Sequence, residues 1–158
     1  EKIVLIAKEK GYQVDEQTTW EEAYNQILLN EIEPHLGKSK PTILYDYPAS
    51  QAALSKKKES DPRFAERFEF FIGGIELGNA FSELTDEQEA RMIADLKYRK
   101  ELGKVEYKMD SDFIEALRLG MPRTGGIAVG VDRLVMLFSN SASIKDSRLF
   151  PVDDVFDY

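Results

Sequence analysis

Arg67-Phe-Glu-Phe-Phe-Ile-Gly-Gly-Ile-Glu-Leu-Gly-Asn-Ala-Phe-Ser-Glu83 decides the fold. Two runs of β-formers flank Gly73-Gly74, and a glycine pair is a hairpin signal because the favoured two-residue turn needs positive φ at both central positions. In that register Ile72 faces Ile75, Phe71 faces Glu76 and Glu69 faces Gly78. Side chains alternate faces along a strand, so Glu69 and Glu76 become diagonal neighbours on one face, roughly 7–8 Å apart at Cα. Two carboxylates so placed repel unless a cation or a shared proton lies between them. Mg²⁺ suits the pair, because it takes one or two protein carboxylates and completes its shell with water and phosphate. Two solvated glutamates on an open sheet face would show the same spacing.

Farther along the second strand, Asn79, Phe81 and Glu83 alternate with the opposite parity to Glu76. An amide, an aromatic wall and an anion are what a ligand bearing an ammonium group needs, although an edge strand facing water would also carry them. For Glu76 and Glu83 to serve one site the strand must turn its face between them, and a bulge is expected at Gly78.

A second constellation is Gly125-Gly-Ile-Ala-Val-Gly-Val-Asp-Arg133. Glycines in a branched, apolar strand suggest close approach of a ligand or another backbone. Arg133 follows at the start of an apolar helix, where a guanidinium can fork onto phosphate or stack on a purine. The spacing is neither that of a dinucleotide-binding loop nor that of a P-loop. A kinked core strand with a surface arginine is the plain alternative.

Around these segments the chain reads as helices and strands in blocks, giving an α+β fold with an antiparallel β-sheet flanked by helices. Glu1–Gly11 is a short helix. Thr18 and Thr19 each precede a glutamate by three residues, a doubled capping-box signal for a helix whose face carries Trp20, Ala23, Tyr24, Ile27, Leu28 and Ile32 and which ends by Pro34. Trp20 is read as core and His35 as exposed or capping. Thr42–Tyr47 is a strand closed by Pro48. Thr85 with Gln88 caps a helix running to Gly103, supported by Glu87–Arg91 and Asp95–Arg99 pairs. Ser111–Leu119 is helical, Gly125–Val131 a buried strand, and Asp132–Phe138 an apolar helix.

The 158 residues suit one domain, with residues 1–36 a helical segment, 37–151 the core that bears the motifs and 152–158 an acidic, irregular tail. No cysteine is present, which removes disulfides and thiolate metal sites and suits a reducing cytosol. A net charge of −8 argues against non-specific nucleic-acid binding. No apolar run reaches the ~20 residues of a membrane span, and no signal peptide is read. The chain opens at Glu1 without methionine and is read as a possible fragment.

Taken together, Gly74-Ile-Glu-Leu-Gly-Asn-Ala-Phe-Ser-Glu-Leu84, Gly120-Met-Pro-Arg-Thr-Gly-Gly-Ile-Ala-Val-Gly-Val-Asp-Arg-Leu-Val-Met-Leu137 and the run through Phe150-Pro151 resemble the C-terminal part of the class II lysyl-tRNA synthetase catalytic domain. Within that group, Tyr47-Pro-Ala-Ser-Gln-Ala-Ala-Leu54 and Ala128 resemble the lysyltransferases that modify elongation factor P. The resemblance implies ATP and Mg²⁺, with Glu69 and Glu76 holding the metal at the phosphates. It implies Leu77, Gly130 and Arg133 beside the nucleotide, Arg133 also being catalytic, and Asn79, Phe81, Glu83 and Ala128 around the amino acid.

The implied reaction activates lysine or β-lysine to an aminoacyl-adenylate and transfers it to a lysine side chain of elongation factor P. The alternatives are transfer to tRNA, as in a lysyl-tRNA synthetase, or a non-catalytic binding module. The family's first and second motifs are absent from these residues, so the chain alone is expected to lack part of its active site. A cytoplasmic protein, homodimeric at full length and without membrane partners, is the corresponding expectation.

Overall fold

The computed structural model describes residues 2–84, 88–105 and 107–151. Its named strands are β1 (Thr42–Tyr45), β2 (Arg67–Ile72), β3 (Ile75–Ser82) and β4 (Gly125–Val129). They form one antiparallel sheet in the order β1-β2-β3-β4. The α-helices are α1 (Lys2–Glu9), α2 (Trp20–Ile27), α3 (Gln88–Glu101), α4 (Ser111–Arg118) and α5 (Val131–Phe138). This is the expected mixed α+β class with an antiparallel sheet. The chain divides into two compact units, one comprising Glu1–Leu44, Phe68–Asn79 and Ala128–Tyr158, the other Tyr45–Arg67 and Ala80–Ile127.

In the first unit α1 packs on α2, with Ala7 and Ala23 fully buried, and these small side chains let the helices approach closely. Thr19 caps α2 through a complete capping box with Glu22. Thr18 has a different role from the one expected of it: its hydroxyl donates to the Asp15 carboxylate and accepts the Asp15 N–H, closing the preceding turn. The α-helix also stops earlier than its apolar face suggests. Leu28–Ile32 is a π-helical turn and Glu33–His35 a 3-10 turn. Asn30 Nδ2 donates to the Gln26 carbonyl at 2.7 Å, taking the acceptor that the Asn30 N–H would use in an α-helix. Trp20 is not core: it is 40% exposed and stacks on Tyr24 with ring centroids 5.0 Å apart.

Gly73 and Gly74 have φ of 64° and 82°, as the two-residue hairpin turn requires. Beside it, Gly37 has φ 73°, and its carbonyl accepts the Gly73 N–H at 2.8 Å. A Cβ on Gly37 would lie 2.6 Å from the Phe71 carbonyl carbon, so only glycine fits. Phe71 and Leu77 are the large fully buried apolar side chains of this unit.

The second unit buries Tyr47, Ala52, Ala65, Ala80, Leu84 and Ile114. Ser55 is buried among them, and its hydroxyl donates to the Lys56 carbonyl at 3.0 Å. Asp110 caps α4 by accepting the Phe113 N–H. Asp46, with φ 60°, ends β1 two residues earlier than its β-formers suggest. Its carboxylate pairs with Lys58 at 2.7 Å.

The strand expected over Gly125–Val131 is shorter, ending at Val129, and it is not buried: Ile127 is 53% exposed and Val129 43%. Among the described residues β4 is the last strand in the sheet order, with a hydrogen-bonded neighbour on one side only. The Thr85 cap and Glu87, the tail beyond residue 151, and the side chains of Arg91 and Asp95 lie outside the described residues.

Candidate active site

The hairpin register changes along its length. At the turn Ile72 faces Ile75, as the two-residue loop dictates, whereas Ser82 N–H donates to the Glu66 carbonyl at 2.9 Å and so sets Arg67 opposite Phe81. Strand β3 therefore holds one more residue than β2. The extra residue falls between Ile75 and Phe81, and within that stretch a Cβ on Gly78 would overlap the Phe70 ring and meet the Ala128 carbonyl at 3.1 Å. Odd-numbered residues after the bulge take the parity that even-numbered ones hold before it.

In the first unit, Arg133 stands in the first turn of α5 and reaches back to β3. Its Nη1 donates to the Glu76 carbonyl at 2.8 Å and to the Glu76 carboxylate at 3.2 Å, with the arginine side chain still 47% exposed. Leu77 and Gly130 are also joined, the Gly130 N–H donating to the Leu77 carbonyl at 2.9 Å. A Cβ on Gly130 would meet the Arg133 stem at 3.3 Å, so the arginine lies across the glycine.

Glu33, which sequence reasoning passed over, joins this group. Burial raises its pKa above the ordinary carboxylate value, the negative charges of Glu69 and Glu76 raise it further, and Arg133 opposes them. Glu69 and Glu76 thus act on a common neighbour. Nothing in the sequence separates Glu33 from the exposed Glu31; only the 3-10 turn that follows the π-helical turn sets it apart.

In the second unit, Glu83 N–H donates to the Thr124 carbonyl at 2.9 Å. The Glu83 side chain lies across Gly126, where a Cβ would overlap Oε1, which explains a glycine in that strand. Glu83 lines a cavity of about 560 Å³ with Glu66, Ser82, Lys56, Lys58 and Arg123. The mouth cations have partners: Lys56 and Arg123 meet Glu59 at 2.6 and 3.4 Å, and both hold the Glu59 carboxyl below its usual range, the Lys56 hydrogen bond being the larger effect. Phe81 lies under the Arg67 guanidinium, 5.8 Å from its ring centroid.

Among the described residues no group of three or more His, Cys, Asp or Glu side chains converges as a protein-built metal cage would. The donor set near Glu76 is instead two carboxylates on adjacent strands with a third in their field. That set fits a hard cation whose remaining ligands are water and phosphate. Among the described residues no helix is long and apolar enough to cross a membrane.

Comparison with known proteins gives the family. Residues 13–154 match the family of class II tRNA synthetases (D, K and N). The lysine–tRNA ligase of Shouchella clausii is 48% identical over 148 residues, covering 92% of this chain and 29% of that protein. That of Oceanobacillus iheyensis is 47% identical over 148 residues, 92% of this chain and 30% of that protein. The elongation factor P–(R)-beta-lysine ligase of Buchnera aphidicola is 47% identical over 131 residues, 81% of this chain and 40% of that protein. The chain therefore spans well under half the length of these relatives. A family match over this much of the chain, with relatives of both kinds at nearly equal identity, makes the chain a member of the class II tRNA synthetases of the D, K and N group.

Proposed function

We propose that the full-length polypeptide carrying this chain is a cytoplasmic, homodimeric ligase that activates lysine or β-lysine with ATP and passes the aminoacyl group to a lysine side chain of elongation factor P. One observation carries the reading: Arg133 is held on Glu76, at the start of an apolar helix and half open to solvent. Arg133 there would orient and neutralise the phosphates as charge develops, which is the main catalytic demand of phosphoryl chemistry. Glu69 and Glu76 would hold Mg²⁺, which would supply charge neutralisation at the phosphates. Leu77 and Gly130 would lie along the nucleotide. Asn79, Phe81, Glu83 and Ala128 would contact the amino acid, with Glu83 accepting hydrogen bonds from its ammonium.

Transfer to tRNA is the second reading, and the near-equal identity to lysine–tRNA ligases supports it. The run Tyr47–Leu54 and Ala128 favour the elongation factor P acceptor. The full-length protein, supplied with ATP and labelled lysine or β-lysine, is to be offered purified elongation factor P and lysine tRNA in parallel. Label on elongation factor P is the expected result. Label on tRNA alone selects the second reading, and activation of neither amino acid refutes both.

A further inference from the structure

Arg67 opens β2 directly opposite Phe81, and its guanidinium does three things at once. It lies over the buried Tyr47 ring at 4.4 Å from the centroid, lies over Phe81 at 5.8 Å, and donates through Nη1 to the Gln51 carbonyl. Gln51 ends the 3-10 turn Ala49–Gln51, which lies just after Tyr47 in the run Tyr47–Leu54. Tyr47 and the turn that follows it are therefore joined to the Phe81 ring through the Arg67 side chain.

We propose that Arg67 is a positioning residue that fixes the placement of Phe81 and thereby tunes which amino acid is accepted. The inference rests on the reading that Phe81 and Glu83 contact the amino acid. Arginine suits the role where lysine does not, because a flat guanidinium presents a face to aromatic rings while its N–H groups point outward in the plane to a carbonyl. With the guanidinium gone, the Gln51 carbonyl loses its donor and the two rings lose the cation that spans them. Phe81 then gains freedom to move, while the contact between Glu76 and Arg133 is kept.

The test is ATP–pyrophosphate exchange by full-length wild type, Arg67→Met, Arg67→Lys and Glu83→Gln, measuring KM for lysine, for β-lysine and for ATP. Arg67→Met is expected to raise the amino-acid KM about tenfold, since only part of the loss of two cation–π contacts and one charge-assisted hydrogen bond is felt at the substrate. It is also expected to shift the preference between lysine and β-lysine and to leave the KM for ATP within about twofold. Arg67→Lys, which keeps the charge without the fork, should fall between; if Arg67→Met does not fold, this variant carries the same split. Equal rises in both KM values, or no change in either, would overturn the inference. Glu83→Gln separates the two levels. If it leaves the amino-acid KM untouched, the pocket reading itself fails; if it raises KM while the Arg67 variants do not, only the role of Arg67 is lost.

Discussion

Gly126 shows how a single missing methyl group shapes the second unit. A Cβ there would overlap the Glu83 carboxylate, and that flexible end would swing away rather than force the backbone apart. Gly126→Ala is therefore expected to leave the melting temperature nearly unchanged while raising the amino-acid KM roughly ten- to a hundredfold, the range for a displaced charge-assisted hydrogen bond. Unaltered KM would show that Glu83 does not meet the substrate. Glu33 gives a prediction of opposite character. Its folded pKa is raised, by burial first and then by Glu69 and Glu76, so its ionised form is disfavoured in the folded state. The resulting destabilisation is fully present above the raised folded pKa and disappears as pH falls below the ordinary carboxylate value. Glu33→Gln should raise the melting temperature at neutral pH, and the gain should vanish in acid; a gain that persists in acid would mean that charge is not the cause. Glu33 is not legible in the sequence because its neighbours Glu69, Glu76 and Arg133 come from two strands and a helix distant along the chain. Glu69, Glu76 and Arg133 are legible as candidates because carboxylates on one face of a hairpin can share a cation and a guanidinium beside a glycine-rich strand can meet a phosphate, although solvated side chains would show the same spacing.

At the scale of elements, the hairpin turn is readable, since Gly73-Gly74 admits the positive φ that the tight turn demands. The close packing at Gly78 is readable too, because a glycine in mid-strand has a physical cost and so needs a reason. Away from the turn, however, the register shifts by one residue from the facing of Glu69 with Gly78 that the turn alone implies. The end of α2 is not readable. Apolar spacing looks alike over one turn of α- or π-helix, and the Asn30 side chain decides between them. The exposure of β4 is equally hidden, because a branched apolar run reads the same at a sheet edge as at its centre. Two substitutions test the elements. Gly37→Ala would add a Cβ against the Phe71 backbone at a positive φ, and should lower unfolding stability by about 1–3 kcal/mol in urea titration. Thr19→Ala removes the α2 capping box and should cost about 1 kcal/mol. A neutral Gly37→Ala would contradict the tight approach of that loop to β2.

For the whole molecule, the acidic balance of −8 coexists with locally paired cations at the mouth of the Glu83 cavity. The chain covers 29% to 40% of the relatives described above, so catalysis is a property to be measured on the full-length polypeptide. On the proposed reading, the chain contributes two groups of residues, one for phosphate and cation and another for the amino acid. The most direct test measures KM for ATP and for lysine or β-lysine in pyrophosphate exchange by full-length Glu76→Gln and Glu83→Gln. Glu76→Gln is predicted to weaken Mg²⁺-dependent use of ATP with little effect on the amino-acid KM, and Glu83→Gln to raise the amino-acid KM or abolish activation with ATP binding retained. Wild-type exchange kinetics in both variants would contradict the assignment.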